Sequence, residues 1–191
     1  MIFETIVTTL YADGRVHIAP MGVREEEGFI VISPFRPSIS LDNLLREKSG
    51  VVNYTDDVRI FAGCLTGRWQ WPTAPAESIP GRRLADALAH TEIQLEHVED
   101  DPVRPRLFCR PLYRGNHTPF RGFNRAQAAV LEGAILASRL DMLTPEKIDL
   151  ELGYLKIAID KTAGPRELEA WSWLMEKIEE HRRQSMVGIT K

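Results

Sequence analysis

The sequence predicts an α+β protein, an antiparallel split β-barrel followed by a C-terminal three-helix domain. Strand and turn signals dominate from Met1 to about Asn116, whereas from about Phe120 the chain becomes rich in alanine and leucine at helical spacing. Six or seven short antiparallel strands with few long helices are best closed into a barrel, because closure removes exposed sheet edges. The expected domains are therefore residues 1–118, a β-barrel, and 119–191, a helical domain.

The barrel elements follow in chain order. Ile2 to Tyr11 is rich in β-branched residues, and Ala12-Asp13-Gly14-Arg15 supplies an Asp-Gly turn into Val16 to Val23, so the two form a hairpin. Glu25-Glu26-Glu27-Gly28 is a second polar turn, and Phe29 to Phe35 returns as a nearly continuous apolar strand. Ser40 is placed to cap a short helix through about Lys48, ended by Ser49-Gly50. Val51 to Thr55 reads as a strand and Asp56 to Leu65 as a short helix. Trp69-Gln70-Trp71-Pro72 begins a loop whose tryptophans either pack over the barrel or form a lid or partner surface. Strand signals resume at Thr91 to Glu99 and Arg106 to Tyr113.

Three helices follow. Arg125 to Leu140 carries Ala129, Gly133, Leu136 and Leu140 on one face and Val130, Ala134 and Ala137 on another, the pattern of a mostly buried helix. Thr144-Pro145-Glu146 has the N-cap and first-turn proline of a helix bearing Ile148, Leu152, Leu155 and Ile159. Pro165 opens a third, with Leu168, Trp171, Met175 and Ile178 on one face and a tail expected to fray after Gln184.

Bulk properties exclude several classes. A chain of 191 residues with 43% hydrophobic and 27% charged residues is an ordinary globular composition, and a net charge of -3 gives no general attraction to nucleic acid or acidic lipid. No apolar run approaches the roughly 18 residues of a membrane span. With only Cys64 and Cys109, and no basic segment followed by an apolar run at the start, the expected setting is cytoplasmic and reducing.

Two segments carry ligand chemistry. Arg36-Pro37-Ser38-Ile39-Ser40 places a guanidinium and two hydroxyls where a strand ends and a helix begins, a place suited to a phosphate. The same residues read equally as a helix cap with a surface arginine, and Asp42 in the first turn opposes an anion unless it points away. Ala19-Pro20-Met21-Gly22 is a strand segment whose proline and glycine suit an edge that a flat ligand approaches closely, or simply an edge strand with a bulge. Together they point to an aromatic cofactor bearing a phosphate.

In combination these segments resemble a known family. Glu4 to Thr9, Asp13-Gly14, Ala19 to Val23, Ser33-Pro34-Phe35-Arg36 and Val51 to Thr55 come in the order seen in flavin-reductase-like split-barrel proteins. Pro119 to Ala126, Ala129-Val130-Leu131-Glu132, and Asp160 to Gly164 with Glu169-Ala170-Trp171 resemble one branch. That branch comprises FMN-binding split barrels with a C-terminal helical domain, associated with one-carbon metabolism that uses tetrahydromethanopterin. The resemblance implies an obligate homodimer with FMN in a groove near the subunit interface. It implies that Pro20, Met21 and Gly22 line the flavin ring, that Arg36, Ser38 and Ser40 face the phosphate or ribityl chain, and that Asn53 and Thr55 lie on the neighbouring strand.

Arg121, Asn124 and Arg125, with Lys161 and Thr162, form a separate polar set at helix ends. They read as a second anion or substrate site, or as a structural set in which Asn124 is an N-cap and Lys161 favours a helix C-terminus. His17, His90, His97, His117 and His181 show no paired metal spacing and neither cysteine has a CxxC partner, so no metal site is expected. His117, near Arg114 in a loop, reads as a solvated side chain or a proton donor near a flavin. The leading expectation is an FMN-dependent oxidoreductase acting on a small molecule, with a pterin suggested by the resemblance. The alternatives are a non-catalytic FMN-binding or protein-interaction module, and a split barrel that has lost flavin and binds another phosphorylated ligand.

Overall fold

The computed structural model describes residues 1–188 and shows a six-stranded antiparallel barrel followed by helices. Strand β1 (Phe3–Leu10) pairs with β2 (Val16–Glu26) across the Asp13-Gly14 turn. The next turn has positive φ at both Glu27 (51°) and Gly28 (85°), the geometry that lets two strands join tightly, and it leads into β3 (Phe29–Ile32). β3 is shorter than the apolar run suggests, because the chain leaves the sheet at Ser33-Pro34.

Helix α1 (Ile39–Glu47) follows, and its cap differs from the expectation: Ser38, not Ser40, is the N-cap, its Oγ accepting from Leu41 N at 3.3 Å. Lys48 ends the helix in the left-handed region and donates its N–H to Leu44 O at 3.0 Å, so β4 (Ser49–Tyr54) begins at once. After α2 (Arg59–Leu65) come two three-residue strands, β5 (Thr73–Pro75) and β6 (Arg82–Leu84), which pair only with each other within the loop region. The long strands β7 (Ala89–Glu99) and β8 (Arg106–Asn116) complete the barrel in the order β1-β2-β3-β8-β7-β4, with β4 returning to β1.

The barrel interior holds Val7, Ile30, Ile32, Val52, Ile93 and Leu107, to which α1 adds Leu41 and Leu44. Each such side chain contributes about 1.5–3 kcal/mol on burial. By contact the chain forms two compact units. One is Met1–Asp56 with Trp69–Phe120; the other is Asp57–Arg68 with the chain from Arg121, so α2 belongs with the helices although it lies between two strands.

In the helical unit, α3 (Arg125–Ala137), a single 3-10 turn (Leu140–Met142), α4 (Pro145–Thr162) and α5 (Pro165–Gly188) surround a core that includes Val130, Leu136, Ile148, Ile159, Leu174 and Ile178. The inward stripe of α5 differs from the expected one. Ile178 is buried as expected and Trp171 and Met175 pack against the core, but Leu168 is 52% exposed, and Glu167, Ala170 and Leu174 are buried where it was expected to point inward. Glu167 tolerates burial because it accepts from Gly164 N (2.9 Å) and Gln127 Nε2 (3.3 Å). α5 runs past Gln184 to Gly188, and the rest of the expected frayed tail lies outside the described residues. Among the described residues, no helix is long and apolar enough to cross a membrane.

Candidate functional site

The barrel is incompletely zipped along β2. β1 pairs with β2 from Val16 to Val23, but β3 pairs with it only from Val23 to Glu26. Residues 16–22 therefore have one edge that β3 does not reach, where alternate residues direct N–H and C=O groups away from β1. The chain leaving β3 runs opposite this edge on its way to α1, and a groove of about 530 Å3 lies between them. Its walls are Ala19, Pro20, Met21 and Gly22 on one side and Ser33 to Phe35 with Pro37 to Ser40 on the other, with His17 and Arg104 completing it.

Five of the eight expected cofactor residues line this groove: Pro20, Met21, Gly22, Ser38 and Ser40. Arg36 is turned elsewhere. Its guanidinium donates to Asp100 Oδ1 (2.6 Å) and Asp101 O (3.1 Å). The guanidinium on the groove wall is that of Arg104, whose Nε donates to Ser33 O at 2.9 Å and whose Cζ lies 4.8 Å from the Phe35 ring centre.

Asn53 is fully buried, and its amide is used by the barrel. Nδ2 donates to Ile6 O (3.0 Å) and Val51 O (3.2 Å), and Oδ1 accepts from Leu84 N (2.7 Å). Thr55 is half-buried just past β4, and neither residue is on the groove wall. Asp42 is exposed in the first turn of α1 and is likewise not on that wall.

His17 shows no metal-ligand spacing in the sequence and carries no other functional signal there. It stands between two grooves, with one nitrogen 3.1 Å from Ser40 Oγ and the other 3.2 Å from the Tyr11 hydroxyl. Burial holds it below the usual histidine value of 6.5, so the neutral ring carries one proton and one lone pair along this chain. The second groove, of about 590 Å3, shares His17 and Ile39 with the first and is walled by Tyr11, Arg15, Trp69 and Trp71. The two-tryptophan loop thus borders a cavity rather than only covering the barrel.

The second polar set is brought together in part. Asn124 caps α3 by accepting from Ala126 N at 2.7 Å and donates Nδ2 to Thr162 O at 3.1 Å, while Thr162 Oγ accepts from Ala126 N at 3.1 Å. These two residues make a joint between helix ends and satisfy each other. Arg121, Arg125 and Lys161 are exposed.

With this geometry, the family assignment follows from two matches. A family model described as protein of unknown function (DUF447), N-terminal domain, matches residues 3–118, and a companion DUF447 model matches residues 124–176. The chain belongs to the DUF447 family. Among solved structures, this DUF447 chain is similar to an FMN-bound DUF447 protein from Methanosarcina mazei, with a TM-score of 0.80 and 21% identity over 92% of this chain and 94% of that one. It is also similar to a 2-nitrobenzoate 2-nitroreductase from Pseudomonas fluorescens (TM-score 0.52, 20% identity, 60% and 64% covered). A third similar structure is nitrilotriacetate monooxygenase component B from Bacillus cereus (TM-score 0.51, 19% identity, 65% and 75% covered). At these identities the likenesses establish the fold of the DUF447 chain. No match was found among curated protein sequences.

Proposed function

We propose that this chain is an FMN-binding flavoprotein and an oxidoreductase that passes hydride or electrons through FMN. The observation that carries the reading is the groove joining the open Pro20-Met21-Gly22 edge to the hydroxyls of Ser38 and Ser40 at the start of α1. A flat ring needs an apolar wall with backbone donors and acceptors, and a phosphate needs hydroxyls, free helix N–H groups and a cation. The groove offers all of these, so its residues fit the group. The FMN-bound relative from Methanosarcina mazei, which spans nearly the whole chain, supports the same choice.

Ser38, Ser40 and the first-turn amides of α1 would hold the phosphate, with Arg104 as the cation on the wall. Arg36 would join them by leaving Asp100, an exposed pair whose loss costs about 0–1 kcal/mol. Bound FMN supplies the redox chemistry, so no nucleophile is required of the protein. His17 orients Ser40 through its hydrogen bond and holds a proton between Ser40 Oγ and the Tyr11 hydroxyl. The second groove beside it is the place for a planar reactant, and a pterin of one-carbon metabolism is the reactant the sequence resemblance favours. A cytoplasmic homodimer completes this reading.

The visible spectrum of the purified protein tests it. A flavin spectrum, or one restored by added FMN, is expected; a colourless protein that takes up no FMN would refute it. Anaerobic NADH, NADPH or a reduced pterin should bleach the flavin. Trp69, 62% exposed at the rim, favours the second reading, a non-catalytic FMN-binding or protein-interaction module. Indifference of the flavin to every reductant tried would select that module.

A further inference from the structure

A second chain of polar groups lies in the barrel unit away from the FMN groove and shares no residue with its wall. Glu92 on β7 is completely buried, and its two oxygens accept the backbone N–H groups of Glu77 and Ser78, the latter at 2.7 Å. Oε1 also lies 3.2 Å from His90 Nε2. His90 is 1% exposed, and its Nδ1 lies 2.8 Å from His117 Nε2. The two ring planes are within 7° of parallel with centres 5.0 Å apart, and at a nitrogen–nitrogen distance of 2.8 Å that separation means they meet edge to edge along a hydrogen bond rather than face to face.

The backbone is shaped around this chain. Gly115 is the β8 partner of His90, and a Cβ there would come within 2.7 Å of His90 Cε1 and 3.0 Å of Nδ1. Only glycine leaves the imidazole its place between Glu92 and His117.

The hydrogen-bond roles follow from the carboxylate end. An ionised carboxylate only accepts, so His90 Nε2 donates to Glu92 and His90 Nδ1 keeps its lone pair. His117 Nε2 must then donate to His90, which leaves the lone pair of neutral His117 on Nδ1. His117 lines a cavity of about 610 Å3 with Tyr54, Leu88, Ala89, Pro119 and Phe120, a largely apolar wall.

We propose that Glu92 and His90 position His117 as the base of a second binding site, which takes a flat aromatic compound bearing one acidic O–H or N–H. The ligand O–H or N–H bond breaks, the proton forms a bond to His117 Nδ1, and the ligand anion stays beside the imidazolium. The imidazolium keeps its Nε2–H on His90, whose other N–H faces the Glu92 charge, so the positive charge is shared toward a buried carboxylate. Loss of solvent, then the nearby Arg83 and His90, hold His117 below 6.5, with Glu77 pulling the other way, so the ring stands ready as a neutral base near pH 7.

The probe is 4-nitrophenol, added to the purified protein with its histidines labelled for NMR. Neutral His117 should carry its proton on Nε2, its signals should move on titration, and bound nitrophenol should absorb as the anion. His117→Gln, a change at an exposed side chain, should weaken binding at least about tenfold, the loss expected for one hydrogen bond to a charged group. Glu92→Gln should lower the pH at which His117 titrates, which a merely structural role would not do. A proton on Nδ1 of neutral His117, no response of its signals, or undiminished binding in His117→Gln would each overturn the proposal.

Discussion

Asn53 provides a sharp test of how the barrel is held together. Its side chain is fully buried and ties three segments, donating to Ile6 O on β1 and Val51 O on β4 and accepting from Leu84 N on β6. Asn53→Ala leaves the buried Leu84 N–H without its acceptor, which costs about 1–3 kcal/mol, and removes the donated bonds at about 0.5–1.5 kcal/mol each. With partial relaxation the expected loss is about 2–4 kcal/mol, or a Tm lowered by about 4–16 °C at this chain length. Asn53→Asp should be worse, because it keeps an acceptor for Leu84 but turns a buried charge toward two carbonyl oxygens.

Thermal unfolding of the three proteins gives the ranking, and hydrogen exchange at Leu84 reads the lost bond directly. FMN affinity of the still-folded Asn53→Ala protein should match that of the wild type. A loss below about 0.5 kcal/mol, an Asp variant as stable as the wild type, or a selective fall in FMN affinity would show that Asn53 does not hold the barrel in this way.

Acid should destabilise the barrel unit through His17. The unfolded chain takes up that proton near pH 6.5 and the folded chain only at lower pH, so this contribution is present above 6.5 and lost as pH falls through the folded value. Chemical denaturation between pH 5 and 8 should therefore show a slope that His17→Gln reduces, with a remainder from His117. Both thiols are pushed up to about 12 by burial, so native Cys64 and Cys109 should react with a disulfide reagent at pH 7.5 far more slowly than in denaturant. Equal rates in the two conditions would contradict that burial.

Much of the groove was legible in the sequence because its signals are local. Proline and glycine at positions 20 and 22 mark a strand edge, and the hydroxyls of Ser38 and Ser40 flag a helix start even though the cap falls two residues earlier than expected. Arg104 was invisible, since it meets Ser33 only after the barrel brings together segments 71 residues apart. Arg36 illustrates the reverse: its residue type suits an anion, but Asp100 and Asp101 arrive from the β7–β8 turn.

β5 and β6 are three residues each and lie among prolines, too short for periodicity to register. His90 and His117 are 27 residues apart, and only the β7–β8 register joins them. In α5 the expected face holds at Trp171, Met175 and Ile178 and fails at Leu168. Leu168 faces out because Glu167 is fixed inward by the Gly164 amide.

Ser38→Asp separates the helix cap from the proposed phosphate site, because aspartate caps a helix as well as serine does while placing a negative charge where the phosphate is proposed to bind. FMN and riboflavin, which differ by that phosphate, are titrated into wild type and variant. The melting temperature should be unchanged, riboflavin affinity nearly unchanged, and FMN affinity at least about tenfold weaker in the variant. An FMN preference over riboflavin that survives intact in Ser38→Asp would place the phosphate away from the start of α1.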